Sequence, residues 1–327
     1  MRRFLGLFII LVFIFVIIIP TVIIEGTHLL ESPVEVKSGE NLVRVYLHRS
    51  DTIEIMPMEE YLVGVVAGEM PASFEMEALK AQAIAARTYT YKRIEEAKKE
   101  PNKDHPGADI CTDPAHCQAW ASDDVLRKRW GLMNFWRYKL KIREAVRATR
   151  GMVLTYKGEL IDPVYHSNSG GRTESAAAVW GGNIPYLQSV PSPWDKSAPH
   201  YLTNHSFSLD ELEQKLGIKL NTAVSSLPSA QNSLIKVKKK TATGRLKEVQ
   251  IGDKIFDTVK LRQLLGLSST NFTWQISGNK ITFYTVGYGH GVGMSQYGAN
   301  GMAKEGKKFN EILGHYYQGV KLRIIKN

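Results

Sequence analysis

The sequence predicts an α+β fold, helix-rich in its first half and β-rich in its second, with the two halves forming one cleft behind a single N-terminal membrane-spanning helix. Three observations carry that prediction. An apolar run extends from Phe4 to Ile24, broken only by Gly6, Pro20 and Thr21. An alanine-rich stretch occupies residues 75–99, and period-two alternation dominates after Gly151. At about 1.5 Å per residue, a helix over the first run reaches across the roughly 30 Å of a hydrocarbon core. Arg2 and Arg3 precede it, so the positive-inside rule places residues 25–327 outside the membrane. A long cleaved signal is the alternative, although Glu25-Gly26-Thr27 makes a poor cleavage site.

Residues 25–41 read as a polar stalk, and residues 42–150 as a helix-rich domain. Val43, Val45 and Leu47 alternate with polar residues, as do Ile53 and Ile55, with Arg49-Ser50-Asp51 as the turn of a hairpin. Met58–Gly68 reads as a helix that Pro71 ends, because the residue before proline is driven out of helical geometry. Glu75–Lys99 reads as a second helix, with Ala78, Ala81, Ala83, Ala85 and Ala86 allowing close packing. A loop over 104–122 carries both cysteines, and a third helix runs from Phe135 to Arg150, stopped by Gly151.

Residues 151–327 form the β-rich domain. Lys157-Gly158 joins strands 152–156 and 159–161, and Val164–His166 extends the β reading. Ser208 with Glu211 is a capping box that opens a helix to Leu216. Residues 235–237 and 249–251 alternate around Thr243-Gly244. Phe272–Ile276 and Ile281–Phe283 flank Ser277-Gly278-Asn279, and Gln296–Lys304 reads as a helix.

The 327 residues are 43% hydrophobic and 23% charged, which excludes a disordered or collagen-like chain. A net charge of +10 points to an anionic partner: nucleic acid, an anionic membrane surface or a wall polymer. Placement outside the membrane removes nucleic acid. Two cysteines are too few for a disulfide framework.

Four constellations bear chemistry. Glu69 sits at a helix end among Val65, Val66, Ala67, Met70 and Phe74, where lost solvation raises a carboxyl pKa toward that of a general acid. Its plain alternative is an ordinary Glu paired with Arg87; Arg87 is read either as such a clamp or as a binder of an anionic substrate group. His105, Cys111, His116 and Cys117 supply two imidazoles and two thiols suited to a structural zinc, with a Cys111–Cys117 disulfide as the alternative. His166-Ser-Asn-Ser169-Gly-Gly, followed by Trp180 and Tyr186, combines amides, hydroxyls and aromatic rings of the kind that bind sugars. Gly287 to Gly298 surrounds His290 with glycines and leads into Gln296 and Tyr297; it lacks the Lys-Ser/Thr of a phosphate loop.

Glu59-Glu-Tyr-Leu-x-Gly-Val-Val-x-Gly-Glu69-Met-Pro, Ala78-Leu-Lys-Ala-Gln-Ala-x-Ala-Ala-Arg87-Thr-Tyr, His166-Ser-x-Ser-Gly-Gly, Val179-Trp-Gly, Pro185-Tyr-Leu and Gly289-His-Gly-Val-Gly-Met-Ser-Gln-Tyr-Gly298 follow one another in order. In this order they resemble the stage II sporulation protein D family and its relatives among amidase enhancers. The resemblance implies a lytic transglycosylase at the outer forespore membrane that cleaves the MurNAc–GlcNAc bond of peptidoglycan during engulfment. It implies Glu69 as the single acid and base, and zinc on His105, Cys111, His116 and Cys117. It also implies a preference for strands stripped of stem peptides, a partner amidase/endopeptidase and a membrane scaffold protein. Arg87, His166, Ser169, His290, Gln296 and Tyr297 are then the substrate-positioning candidates. Competing readings are a non-catalytic wall-binding activator of an amidase, and an amidase with a catalytic zinc.

Overall fold

Alternation sets the first element. In the computed structural model, which describes residues 41–220 and 234–325, Val43 and Val45 are fully buried while their neighbours face outward along β1 (Leu42–Leu47). β1 lies between β2 (Thr52–Pro57) and the short β3 (Ile110–Cys111), which pairs with it in parallel through Tyr46 and Cys111. Helix α1 (Met58–Glu69) follows at once. Tyr61 through Ala67 are all buried, the mark of a helix enclosed on every side.

Helix α2 (Met76–Lys99) packs its alanines against α1, α3 and β4. Helix α3 spans Asp123–Ala148, beginning twelve residues before the predicted Phe135. Ser122 caps it by accepting from the Val125 N–H, and Asp123 and Asp124 fill its first turn. Gly131, at φ 71°, kinks it, and the apolar pattern is broken at that point.

After Gly151 the strands are short. β4 (Met152–Tyr156) and β5 (Glu159–Leu160) form the expected hairpin, with Lys157 and Gly158 both at positive φ, and β14 (Lys321–Ile324) pairs on the other side of β4. β6 (Tyr165–His166) pairs in parallel with β13 (Met294–Ser295). A five-residue helix α4 (Ala176–Trp180) lies between them in sequence. β7 (Leu202–Ser208) joins β11 (Phe272–Ser277) and β12 (Lys280–Val286) in the order β11-β12-β7. The predicted capping box opens α5 (Leu209–Leu216). β8 (Ile235–Lys240), β9 (Leu246–Ile251) and β10 (Lys254–Asp257) form another antiparallel sheet, followed by α6 (Thr258–Leu265). α7 (Gln296–Lys304) and α8 (Phe309–Tyr316) close the chain against α2. One hydrophobic cluster draws on residues from Val43 to Tyr317, on both sides of Gly151; a second is confined to Leu209–Phe283.

The membrane-spanning helix expected over residues 1–24, and with it the cell-membrane localisation, must be corrected. No helix among the described residues is long and apolar enough to cross a membrane. The apolar run itself and the stalk up to residue 40 lie outside the described residues.

Arg87 also stands elsewhere than expected. Its side chain has no exposed surface, and its guanidinium forms a two-pronged bond to Glu59 (Nε–Oε1 3.1 Å, Nη2–Oε2 2.7 Å). Further bonds reach the carbonyls of Val146 (3.1 Å) and Met152 (3.3 Å) and the Thr149 hydroxyl. It ties α1, α2, α3 and β4 together, with no face left for a substrate. Arg87 is fully buried and Glu59 partly exposed, so Arg87→Met, which removes the buried guanidinium and leaves the Val146 and Met152 carbonyls without this donor, is expected to cost about 1–3 kcal/mol. The denaturation midpoint should fall accordingly in thermal or denaturant titrations.

Candidate active site and metal centre

Pro71 stops α1, putting Met70 in extended geometry (φ −118°, ψ 146°) and leaving Glu69 as the last helical residue. A carboxylate there sits at the negative end of the helix dipole, an unfavourable place for charge. The segment 118–121 closes over the same helix face. Gly64 and Gly68, one turn apart, make this possible: a methyl group on Gly64 would lie 2.2 Å from the Trp120 indole nitrogen, and one on Gly68 3.1 Å from the Ala119 carbonyl carbon. Gln118 fastens the segment, donating to the Tyr61 hydroxyl and Thr90 (both 3.0 Å) and accepting from Tyr165 (2.8 Å). The next N–H, that of Ala119, donates to Glu69 Oε1 at 2.6 Å. Gln296, first residue of α7, donates to Oε2 at 3.2 Å.

Burial raises the Glu69 pKa to about 6, against the pull of both hydrogen bonds. Its carboxyl borders a cavity of about 410 Å³. Met70, Pro71, Arg129, Trp130 and Tyr138 are among the other lining residues. Of the lining residues, Glu69 alone carries a carboxyl group.

Gln296 is held by a buried relay. Ser295 caps α7 by accepting from the Gly298 N–H (3.1 Å) and donates to Asp195 Oδ1 (2.5 Å). Asp195, fully buried, accepts from the Ser169 N–H (2.8 Å) and hydroxyl through its other oxygen. Ser169 is therefore a tether and not a surface donor, with 1% of its area exposed. Tyr297 donates its N–H to the Ser167 carbonyl and stands edge-on to Phe74 at 4.9 Å.

His290 accepts from the Val292 N–H at Nδ1 (3.1 Å), so its Nε2 carries the proton and donates to the Tyr165 carbonyl (2.9 Å). Burial brings its pKa down to about 4. His166 donates from Nδ1 to the Val292 carbonyl (3.1 Å), and burial likewise holds it neutral, well below its usual range. Gly289, at φ 118°, lets this run pass over His166: a methyl there would meet the His166 Cβ at 2.7 Å. Both imidazoles are thus uncharged at neutral pH and join the glycine-rich run to β6. Trp180 stands beside His290, with ring centres 5.3 Å apart, and is half exposed.

The structure therefore brings Glu69 and Gln296 into contact and sets His166 and His290 together. Arg87 and Ser169 it assigns to the framework. The predicted start at Phe135 leaves Arg129 and Trp130 outside α3, while Tyr138 lies inside the predicted helix with nothing in sequence to mark it as a site residue; Ala119 and Asp195 are likewise unmarked. The signal for α3 was Ser122 followed by two aspartates; a backbone N–H such as that of Ala119 leaves no residue-type signal at all.

Three of the four expected metal ligands cluster: donor atoms of His105, Cys111 and His116 all lie within 4.8 Å of one another. Parallel pairing of β3 with β1 fixes Cys111, and Tyr46 stacks on His105 at 4.0 Å. Cys111 Sγ is 3.3 Å from His116 Nδ1, near the S···N edge of about 3.5 Å that tetrahedral Zn–S and Zn–N bond lengths imply. Cys117 stands beside this group, its Sγ 4.0 Å from His116 Nδ1. The hydrogen bond between the two thiols lowers the pKa of Cys117 and raises that of Cys111, so the pair favours one thiolate, and binding a metal to both would release the remaining proton. Both cysteines are free thiols. The donor set fits a soft divalent metal.

The raised Glu69 pKa predicts a pH signature that needs no substrate. The folded protein holds this proton up to about pH 6 and the unfolded chain only to about 4.5, so between those values folding is linked to proton uptake. Stability therefore falls as pH rises through this window, by about 2 kcal/mol. Wild type should lose that amount relative to Glu69→Gln between pH 4 and pH 7 in denaturant titrations. A pH-independent difference would show that the carboxyl is not buried as described.

The family description "Stage II sporulation protein" matches residues 46–156. Stage II sporulation protein D of Bacillus amyloliquefaciens is 41% identical over 293 residues, covering 89% of this chain and 79% of its own. The protein of the same name from Bacillus subtilis (strain 168) is 40% identical over 286 residues, covering 88% and 80%. The amidase enhancer of Bacillus subtilis (strain 168) is 30% identical over 307 residues, covering 80% of this chain and 40% of its own.

Proposed function

The chain belongs to the stage II sporulation protein D family, and on that premise we propose that it is a lytic transglycosylase acting on the glycan strands of peptidoglycan during engulfment in endospore formation. One observation supports this above the others: a single carboxyl, with its pKa raised to about 6 by burial, borders a cavity that has no second carboxyl among its lining residues. Glycosidases that use water place two carboxyls across the bond. A transglycosylase manages with one, because an internal hydroxyl of the substrate is the nucleophile.

In this reading Glu69 donates its proton to the glycosidic oxygen between N-acetylmuramic acid and N-acetylglucosamine. The resulting carboxylate then takes the proton of the muramyl C6 hydroxyl as that oxygen attacks C1, giving a 1,6-anhydro end. Oε1 is held by the short bond from Ala119, so Oε2, with only the longer contact to Gln296, carries the mobile proton. Gln296 steadies the carboxylate once the proton has gone, and His166, His290 and Tyr297, which do not line this cavity, act on the glycan strand beyond it. The substrate is a strand from which a partner amidase/endopeptidase has removed the stem peptides, presented with the help of a scaffold protein.

The metal in this reading is zinc, held by His105, Cys111 and His116 with Cys117 as fourth ligand. Bound there it would brace the loop that leads into segment 118–121, so its part is structural. Freshly purified protein should carry about one Zn²⁺ per chain, lost in Cys111→Ser. A Cys111–Cys117 disulfide in that protein would overturn the assignment.

The relationship to an amidase enhancer favours a second reading, a wall-binding activator without activity of its own. Product analysis by mass spectrometry on peptide-stripped glycan separates the two. Wild type should release anhydro-ended saccharides. Glu69→Gln should lower their formation by at least about a thousandfold, since general acid–base groups contribute some 10² to 10⁴ per step. Binding without release would establish the second reading instead.

A further inference from the structure

We infer that Arg129 is a specificity-determining residue that holds a free carboxylate on the sugar bound beside Glu69; the inference rests on reading that cavity as a muramyl-glycan site. Four side chains on the cavity wall suit an anionic sugar as substrate. Glu69 supplies the acid, and Trp130 and Tyr138, edge to face at 5.5 Å, supply an aromatic wall on which a pyranose ring can stack. Arg129 supplies the cation.

The Arg129 guanidinium is placed and unneutralised. Nη1 donates to the Ala67 carbonyl at 3.1 Å, pinning the side chain to α1 two residues before Glu69. Among the described residues it has no carboxylate partner, whereas on the same helix Arg127 pairs with Asp124 and Arg143 with Glu60. The remaining N–H donors are therefore free for a two-pronged bond to a carboxylate, the geometry that guanidinium groups favour. N-acetylmuramic acid offers one such group, the carboxyl of its lactyl ether. It is ionised when bare and becomes a neutral amide when a peptide is attached. Arg129 thus distinguishes the two states by charge at the ring that undergoes cleavage.

Binding tests this independently of turnover. The probes are a short peptide-free glycan with free lactyl carboxylates and the same glycan with those carboxylates converted to methylamides, titrated calorimetrically into the full chain. Wild type should bind the acid form about tenfold more tightly than the amide, a preference that shrinks at high salt because the site is exposed. Arg129→Gln should abolish the preference by weakening only the acid form, and Arg129→Lys should retain part of it. Equal binding of both glycans by wild type overturns the inference, as does an Arg129→Gln variant that weakens both alike. Selective binding without anhydro products supports the role of Arg129 while sinking the transglycosylase reading.

Discussion

The close approach of segment 118–121 to the end of α1 is the constraint on which the site depends. A side chain at 64 would overlap Trp120 and one at 68 would crowd the Ala119 backbone; with the segment displaced from the helix, the Glu69 carboxyl would gain solvent and its pKa would fall toward the ordinary value. The same approach delivers the Ala119 N–H, so one packing event both dries and orients the acid. Gln118 makes that packing specific: its amide binds Tyr61, Thr90 and Tyr165 at once, and Tyr165 belongs to the distant strand β6. The position of the acid is therefore coupled to the glycine-rich wall.

That wall has its own buried centre. Asp195 binds the 166–171 turn through Ser169 and the start of α7 through Ser295. Gln296 can meet Glu69 only because α7 begins where Asp195 holds it. The two neutral histidines extend this scaffold, each bonded through ring nitrogen to backbone of the facing segment. Their chemistry is that of spacers with fixed tautomers, suited to holding a ring against Trp180 and unsuited to moving protons at neutral pH.

Much of the fold could be read because its signals are local. The hairpin at Lys157-Gly158, the capping box at Ser208 and the arrest of α1 by Pro71 each follow from two or three residues. What escaped is non-local or ambiguous in type. Arg87 looked functional because a charge in an alanine-lined helix is costly, and the same cost explains why it is paired with Glu59 in the interior. Ser169 stood in a turn rich in sugar-binding residue types, yet a single aspartate elsewhere in the chain claims its hydroxyl. The first half of α3 was hidden by Gly131, whose kink divides one helix into two short patterns. Arg129 and Trp130 lie in that first half, on the cavity wall beside Tyr138.

The site also shows how opposing influences can set one pKa. Burial and the helix C-terminus favour the neutral acid, whereas two hydrogen-bond donors favour the carboxylate; the outcome is about 6, not the far higher value of an unassisted buried acid. In the proposed transglycosylase reading the group gives a proton and then takes one back, and such a role needs this balance, since either influence alone would lock it in one state. The unequal bonds divide the work between the oxygens: the short one to Ala119 fixes orientation, and the longer one to Gln296 yields when Oε2 is protonated. Arg129 respects the balance by its placement. It borders the same cavity, but its bond to the Ala67 carbonyl anchors it to the helix backbone and not to the Glu69 carboxyl. A direct ion pair would pull that pKa down and remove the acid. In the role proposed for Arg129, a cation set to one side holds the negative charge of a ligand and leaves the proton on Glu69.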